Sequence, residues 1–161
     1  MALFKSVQAA NRAPAISPDG AAEGYAIISD FIVPAGLAAN DIVEMTAIPA
    51  GTIVTDANLY VEDTDSNGTP TIVLAAGLLS GEYLSNTGSS TCGSELFSGL
   101  TTAQAGGLAR LTLTTLPLGA PSMSDRAVGI KVTTGAATLV VGAKWRLVLF
   151  VTPTPIGLSP V

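Results

Sequence analysis

Apolar and polar positions alternate with a period of two along most of this chain, and the helical period of three to four is nearly absent. Three strand-length runs, Ile42–Ile48, Thr52–Val61 and Thr71–Leu79, sit close together between Asp41 and Gly81, separated by Pro49-Ala50-Gly51 and by an acidic turn. Runs of this length bounded by turn residues predict a β-meander. In the middle run, Ile53, Thr55, Ala57, Leu59 and Val61 share one face, and Val54, Asp56, Asn58, Tyr60 and Glu62 share the other, as in a half-buried strand. Thr71–Leu79 is apolar on both faces, so it is expected to be central in a sandwich or covered by a partner subunit.

Outside this block the same alternation continues. Tyr25–Val33 is an apolar strand with weak facial contrast. Ala109, Leu111 and Leu113 alternate with Arg110, Thr112 and Thr114 up to a turn at Pro117–Pro121, and Val128, Ile130 and Val132 alternate with Lys131 and Thr133. The last strand is the clearest: Leu139, Val141, Ala143, Trp145, Leu147, Leu149 and Val151 face one way, Lys144, Arg146, Val148 and Phe150 the other. Trp145 is therefore expected in the core. A single helix is predicted where Ser94 and Glu95 precede Leu96, Phe97, Leu100 and Ala103 at helical spacing, with Gly106-Gly107 as the stop. About eight strands, one short helix and no βαβ alternation predict an antiparallel β-sandwich, of which a jelly roll is the expected form. Residues 1–24 and 152–161, rich in Pro, Ala, Ser and Gly, are expected as N- and C-terminal arms flanking one domain over 25–151.

The motifs of the central block, Pro49-Ala50-Gly51 before a strand, Asp65-Ser66-Asn67-Gly68 at a turn and Gln104-Ala105-Gly106-Gly107 farther on, resemble those of tailed-bacteriophage head decoration, or cement, proteins. The likeness runs over roughly residues 24–150. The resemblance implies a β-sandwich or jelly roll that binds the outer surface of a capsid, with the major capsid protein and copies of itself as partners. A homotrimer is the favoured state and a dimer the next. It implies a place in the virion, after synthesis in the host cytoplasm, and no catalysis. A tail, neck or fibre component is the alternative in the same class; a carbohydrate- or host-surface-binding module is the alternative in another.

Composition narrows the chemistry. The 161 residues contain no His and one Cys, Cys92. Ser-His and Cys-His catalytic systems, histidine-ligated metals and an internal disulfide cannot be built from these residues. Paired carboxylates such as Asp56, Glu62 and Asp63 remain, but a glycan cleft usually offers aromatic platforms, and aromatics are 5% of the chain. Two or more exposed aromatics along one groove would favour the carbohydrate reading. No cofactor is expected. No run approaches the ~20 apolar residues of a spanning helix, and the basic residues are too few and scattered for nucleic acid.

One acidic turn has ligand character. Asp63, Asp65, Asn67 and Gly68 match the first half of a calcium loop, although the twelfth position is Leu74 and not the bidentate glutamate; a hairpin turn using Asn67-Gly68 is the simpler reading.

Charge is low and segregated. Charged residues are 12% of the chain, about half the usual share, with a mean hydropathy of +0.52, so some apolar surface is expected to meet another subunit. Between Arg12 and Arg110 lie eleven acids and no base; outside lie seven bases and Asp125, giving −11 and +6 within a net −5. Either these charges meet inside one fold, or the acidic surface of one subunit faces the bases of another subunit or of the shell. The interface candidates on the second reading are Lys5, Arg12, Arg110, Arg126, Lys131, Lys144 and Arg146.

Overall fold

A computed structural model describes residues 2–6, 24–87, 89–111 and 122–153. Nine strands are present among them: β1 (Leu3–Lys5), β2 (Tyr25–Ile32), β3 (Ile42–Ile48), β4 (Thr52–Val61), β5 (Val73–Leu78), β6 (Phe97–Leu100), β7 (Gly107–Arg110), β8 (Arg126–Thr134) and β9 (Lys144–Pro153). They form two sheets. Sheet A has the order β1-β3-β8-β5-β6 and sheet B the order β2-β9-β4-β7. All pairings are antiparallel except that of β1, which lies parallel to β3 at the edge of sheet A. The fold is an antiparallel β-sandwich. None of the described helical residues forms a helix long and apolar enough to cross a membrane.

The core lies between the sheets. Sheet B contributes Ile27, Phe31, Leu59, Trp145, Leu147 and Leu149; sheet A contributes Val43, Met45, Leu74, Val128, Ile130 and Val132. Trp145 is fully buried, its ring centroid 5.4 Å from that of Phe31. Its indole N–H donates to Thr64 Oγ1 at 2.9 Å, which satisfies the one polar atom that burial would otherwise strand.

Two predicted features are corrected. The block Asp41–Gly81 is not a meander: β3 and β5 belong to sheet A and β4 to sheet B, so the chain crosses between layers at each connection. Alternation specifies which face a residue takes, and it carries no information on which strand lies beside it. A bulge between Val54 and Asp56 also shifts the register of β4, so Val54 joins Ala57, Leu59 and Val61 in the core.

The predicted helix is replaced by strand β6 and one 3-10 turn, Thr102–Gln104. Phe97 pairs with Ala76 and Leu100 with Leu74 along the edge of sheet A, and Gly99 sits at φ +63. Glu95 does not lie at a helix start; its carboxylate accepts the Leu78 N–H at 2.9 Å. Residues at helical spacing here pack equally well as a short edge strand, and the pairing with β5 decides between them. Ala103, in the 3-10 turn, is buried.

The outer faces of the two sheets are treated differently. Over sheet A the described residues of 80–93 fold back against β3 and β8, Leu84 and Asn86 reaching Glu44 and Cys92 reaching Gly129. Ile42, Leu79 and Ala127 form a second apolar cluster there, with Leu3, Tyr83 and Cys92 against it. Beneath this cover lies the fully buried Glu44, whose Oε1 accepts Asn86 Nδ2 at 2.7 Å and the Leu84 N–H at 3.0 Å, while Lys5 Nζ on β1 stands 3.6 Å from Oε2. One carboxylate thus ties the covering segment and the edge strand to sheet A. Replacing Glu44 with Ala would leave the Leu84 N–H without an acceptor and Asn86 Nδ2 with only the Glu82 carbonyl, at a cost of about 1–3 kcal/mol. Hydrogen exchange of the Leu84 amide is expected to accelerate by at least tenfold while that of β9 follows only the global stability.

Candidate functional site

Sheet B carries no such cover among the described residues. Its outward side chains form a grid fixed by register. Ile28, Val148, Asn58 and Arg110 make one row across the four strands; Asp30, Arg146, Tyr60 and Leu108 make the next; Ile32 and Lys144 follow on one side, and Ala26, Phe150 and Asp56 on the other. Seven large apolar side chains are substantially exposed among the described residues, and five of them stand on this face: Ile28 (49%), Ile32 (54%), Tyr60 (44%), Leu108 (47%) and Phe150 (38%). The middle of the face is a broad depression of about 960 Å³.

Charges on the face occur as cross-strand neighbours. Arg146 grips Asp30 with two bonds, Nε to Oδ1 at 2.6 Å and Nη2 to Oδ2 at 2.9 Å. That fork holds the Asp30 carboxyl below its ordinary value, against the opposing effect of partial burial and with help from Lys144, and it raises the Arg146 guanidinium. Arg110 Nη2 reaches Asp56 Oδ2 at 3.0 Å. Glu62 Oε2 accepts the Lys144 backbone N–H at 2.8 Å. Three acids and three bases share the face, which is therefore electrically balanced within a chain of net charge −5. Asn58 is nearly buried here, and its Oδ1 has no hydrogen-bond partner.

The structure separates the interface candidates. Arg110, Lys144 and Arg146 belong to this face. Lys5 stands at the opposite sheet beside Glu44. Arg126 lies at the start of β8, where its Nη2 donates to the Thr52 carbonyl at 3.1 Å, and partial burial lowers its pKa. Lys131 is half-buried on β8, opposite Ile42 and Ala75. Arg12 lies outside the described residues, as do 7–23, 112–121 and 154–161, which hold most of both expected arms and the Pro117–Pro121 turn. Within the first arm, Leu3–Lys5 is the paired strand β1.

The acidic turn with calcium-loop character does structural work. It connects strands in different sheets, so it is not a hairpin. Asp65 is buried, and its Oδ2 accepts the N–H groups of Thr71 (2.7 Å), Ala137 (2.9 Å) and Ile72 (3.2 Å), while Oδ1 accepts that of Thr138 (2.8 Å). Burial alone would raise its pKa, yet these four backbone donors hold it well below the carboxylate range. Asp63 Oδ1 caps the Asp65 N–H, and Asn67 bonds Thr69 and Thr138. Among the described residues no group of three or more Cys, Asp or Glu is placed to hold a metal ion.

Cys92 is half-buried under the segment covering sheet A, with Sγ 3.5 Å from the Gly129 carbonyl. Burial pushes its thiol up to about 12. At pH 7.5 it should carry roughly three-thousandfold less thiolate than an ordinary cysteine of pKa about 8.5. Labelling by iodoacetamide is expected to be correspondingly slow in the native protein and complete after unfolding.

No protein-family model and no curated protein matches the chain. Solved structures do. A chain of the capsid of Ralstonia phage GP4 superposes with a TM-score of 0.88 at 35% identity, over 96% of this chain and 99% of that one. The chain belongs to this family of phage capsid proteins. A second member of the comparison, from the capsid asymmetric unit of cyanophage Pam1, gives 27% identity and a TM-score of 0.62 over 89% of this chain and 96% of that one. A chain of the acid-stable capsid of Helicobacter pylori bacteriophage KHP30, at 13% identity and a TM-score of 0.54 over 82% and 89%, shares the fold. The capsid-family protein carries five of the seven exposed large apolar side chains among its described residues on one sheet face, and sequence reasoning had picked out only the charged members of that face. The signal for the rest was the weak facial contrast of Tyr25–Val33, where Ile28 and Ile32 interrupt what would otherwise be a polar side.

Proposed function

We propose that this capsid-family protein is an accessory subunit that binds the outside of the shell as an oligomer and cements neighbouring shell subunits. The observation that carries the reading is the end-to-end match to a chain of a phage capsid, 96% of one and 99% of the other. Strand order supports it. With β1 set aside, sheet B takes the first, eighth, third and sixth of the remaining strands and sheet A the second, seventh, fourth and fifth, which is the double-sheet arrangement of a jelly roll. The exposed sheet face adds the apolar surface that a bound subunit would bury. Cementing of this kind works by many modest contacts acting together on one particle, and no catalytic step is part of it. Self-association is part of the reading, with a trimer implied by the resemblance and a dimer next.

The carbohydrate-binding alternative needs aromatic platforms in one groove. Tyr60 lines the depression of sheet B, and Phe150 lies outside it on the same face, so the groove offers one exposed aromatic side chain among the described residues.

Particles lacking this chain test the proposal. They are expected to assemble and package, but to rupture at a lower temperature than complete particles, and purified protein added back should restore the difference. Particles equally stable without the chain would contradict a cementing role.

A further inference from the structure

Strand β1 is an addition to the eight strands of the jelly roll. Among the described strands it alone pairs in parallel, and it touches sheet A only along the outer edge of β3. That edge nevertheless receives it residue by residue. Asp41 Oδ1 accepts the Ala2 N–H, and the Ala2 carbonyl accepts the Ile42 N–H at 3.0 Å. The Phe4 ring packs against Phe31 of the facing sheet. Lys5 Nζ lies 3.6 Å from Oε2 of Glu44, a fully buried carboxylate of the kind folds rarely hold without a partner. β3 bulges at Met45, which has no residue of β8 opposite it, and the Met45 carbonyl accepts the hydroxyls of both Ser6 and Ser29. The β3 edge is thus a socket fitted to the residues from Ala2 to Ser6.

The connection to β1 is longer than this seat requires. Ser6 Oγ stands 2.9 Å from Ser29 Oγ, and Gly24 precedes Ser29 by five residues along β2. At about 3.3 Å per residue, Ser6 and Gly24 are roughly 15–20 Å apart, a gap that about six extended residues would bridge. Seventeen residues, 7–23, join them. Fully extended, a segment of that length reaches roughly 55 Å, beyond the roughly 35 Å width of a folded unit of this size. We propose that copies of this protein exchange β1, residues 2–6 of one copy filling the β3 socket of the next, an inference that rests on the reading of the chain as a self-associating capsid subunit. The occupant is a second copy because the socket reads Ala2, Phe4, Lys5 and Ser6 together, and a second copy carries the same residues. The contacts are the same whether β1 arrives from its own copy or from a neighbour, so the choice falls to the tether and to local concentration. A flexible tether holds its own strand at an effective concentration of the order of mM, and copies packed side by side present theirs at a similar level. Each copy gives one strand and receives one, so no socket stays empty and the exchange closes into a ring.

Disulfide trapping in the purified full-length protein tests the exchange. Leu3 and Ile42 are Cα partners across β1 and β3, and neighbouring strands at about 4.8 Å suit a disulfide. With Cys92→Ser removing the native thiol, a variant carrying both Leu3→Cys and Ile42→Cys should yield, on oxidation, a ladder of covalently linked chains extending to the size found by sedimentation. Internal disulfides alone, in a protein that sedimentation shows to be an assembly, would overturn the exchange and leave self-association standing. A protein that is monomeric throughout would overturn both. Deleting residues 9–16 tests the same claim without touching the socket. The nine residues left of 7–23 still bridge the gap within one copy but reach only about 30 Å. This variant should melt cooperatively and show a dissociation constant at least 30-fold above that of the wild type; association as tight as wild type would overturn the proposal. Linked chains from a protein that is absent from particles would leave this inference in place and remove the proposed function.

Discussion

Replacing Trp145 with alanine is expected to destabilise the protein by about 3–5 kcal/mol, the usual cost of emptying a large aromatic site in a core. The ring is fully buried on β9, the strand that pairs with both β2 and β4 and so holds the centre of sheet B. It packs against Phe31, which in turn meets Phe4 of β1 at a centroid distance of 6.4 Å. Its N–H bond to Thr64 also fixes the start of the crossing from β4 to β5. Alanine removes the packing and leaves Thr64 Oγ1 buried with one partner fewer. In a chain of this length such a loss corresponds to a fall in Tm of roughly 10–15 °C. Trp145→Phe keeps most of the volume and loses the hydrogen bond, so it should cost about 1–2 kcal/mol. Urea unfolding of the three proteins checks the order; equal stability of the alanine variant and wild type would contradict the packing described.

Asp65→Asn is expected to produce the second large loss, and one that depends on pH. Four backbone N–H groups converge on the Asp65 carboxylate, two from the end of the β4–β5 crossing and two from the β8–β9 crossing. A carboxamide turns at least one acceptor into a donor facing these N–H groups, so two chain crossings lose their common anchor. The expected fall in Tm at pH 7 is about 5–10 °C. The sign of the pH effect follows from the depressed pKa. The folded state holds the carboxyl below its ordinary value of 3.8, so the unfolded chain takes up the proton first. The stabilisation is therefore complete above about pH 5, and it is lost as the pH falls below the unfolded value towards the folded one. The gap between wild type and Asp65→Asn should be constant from pH 8 to 5 and shrink below pH 4. A gap that stays the same down to pH 2 would show that ionised Asp65 is not the anchor.

These two residues mark how far the sequence could be read. Trp145 was legible because alternation along β9 is unbroken for four core positions, Trp145, Leu147, Leu149 and Val151, and each is fully buried. The bounds of β3 and β4 were legible for the same reason. Which sheet each strand joins was not, because a period of two reports facing and is silent on neighbours; hence the meander that the structure replaces with crossings. Leu96, Phe97 and Leu100 suited a helix and an edge strand alike, and only pairing to β5 distinguishes them.

Asp65 drew attention as a ligand-type carboxylate, and the chemistry behind that reading is sound: oxygens at alternate positions gather donors or cations by the same geometry. The donors that occupy it come from Ala137 and Thr138 as well as from Thr71 and Ile72, and a partner more than seventy residues away leaves no local trace. The exposed face was half legible. Its charges stood out as segregated bases, whereas Ile28, Ile32, Tyr60 and Leu108 look like ordinary strand residues until the register of β2, β9, β4 and β7 sets them side by side. The acidic block and the basic ends of the chain meet within the fold at Lys5–Glu44, Arg110–Asp56 and Arg146–Asp30.

The most direct test of the central claim is the copy number of this chain relative to the major shell protein in purified particles, measured by quantitative peptide mass spectrometry. An accessory subunit covering the shell predicts a ratio near one or a simple fraction of it. A handful of copies per particle, or none, would contradict the account.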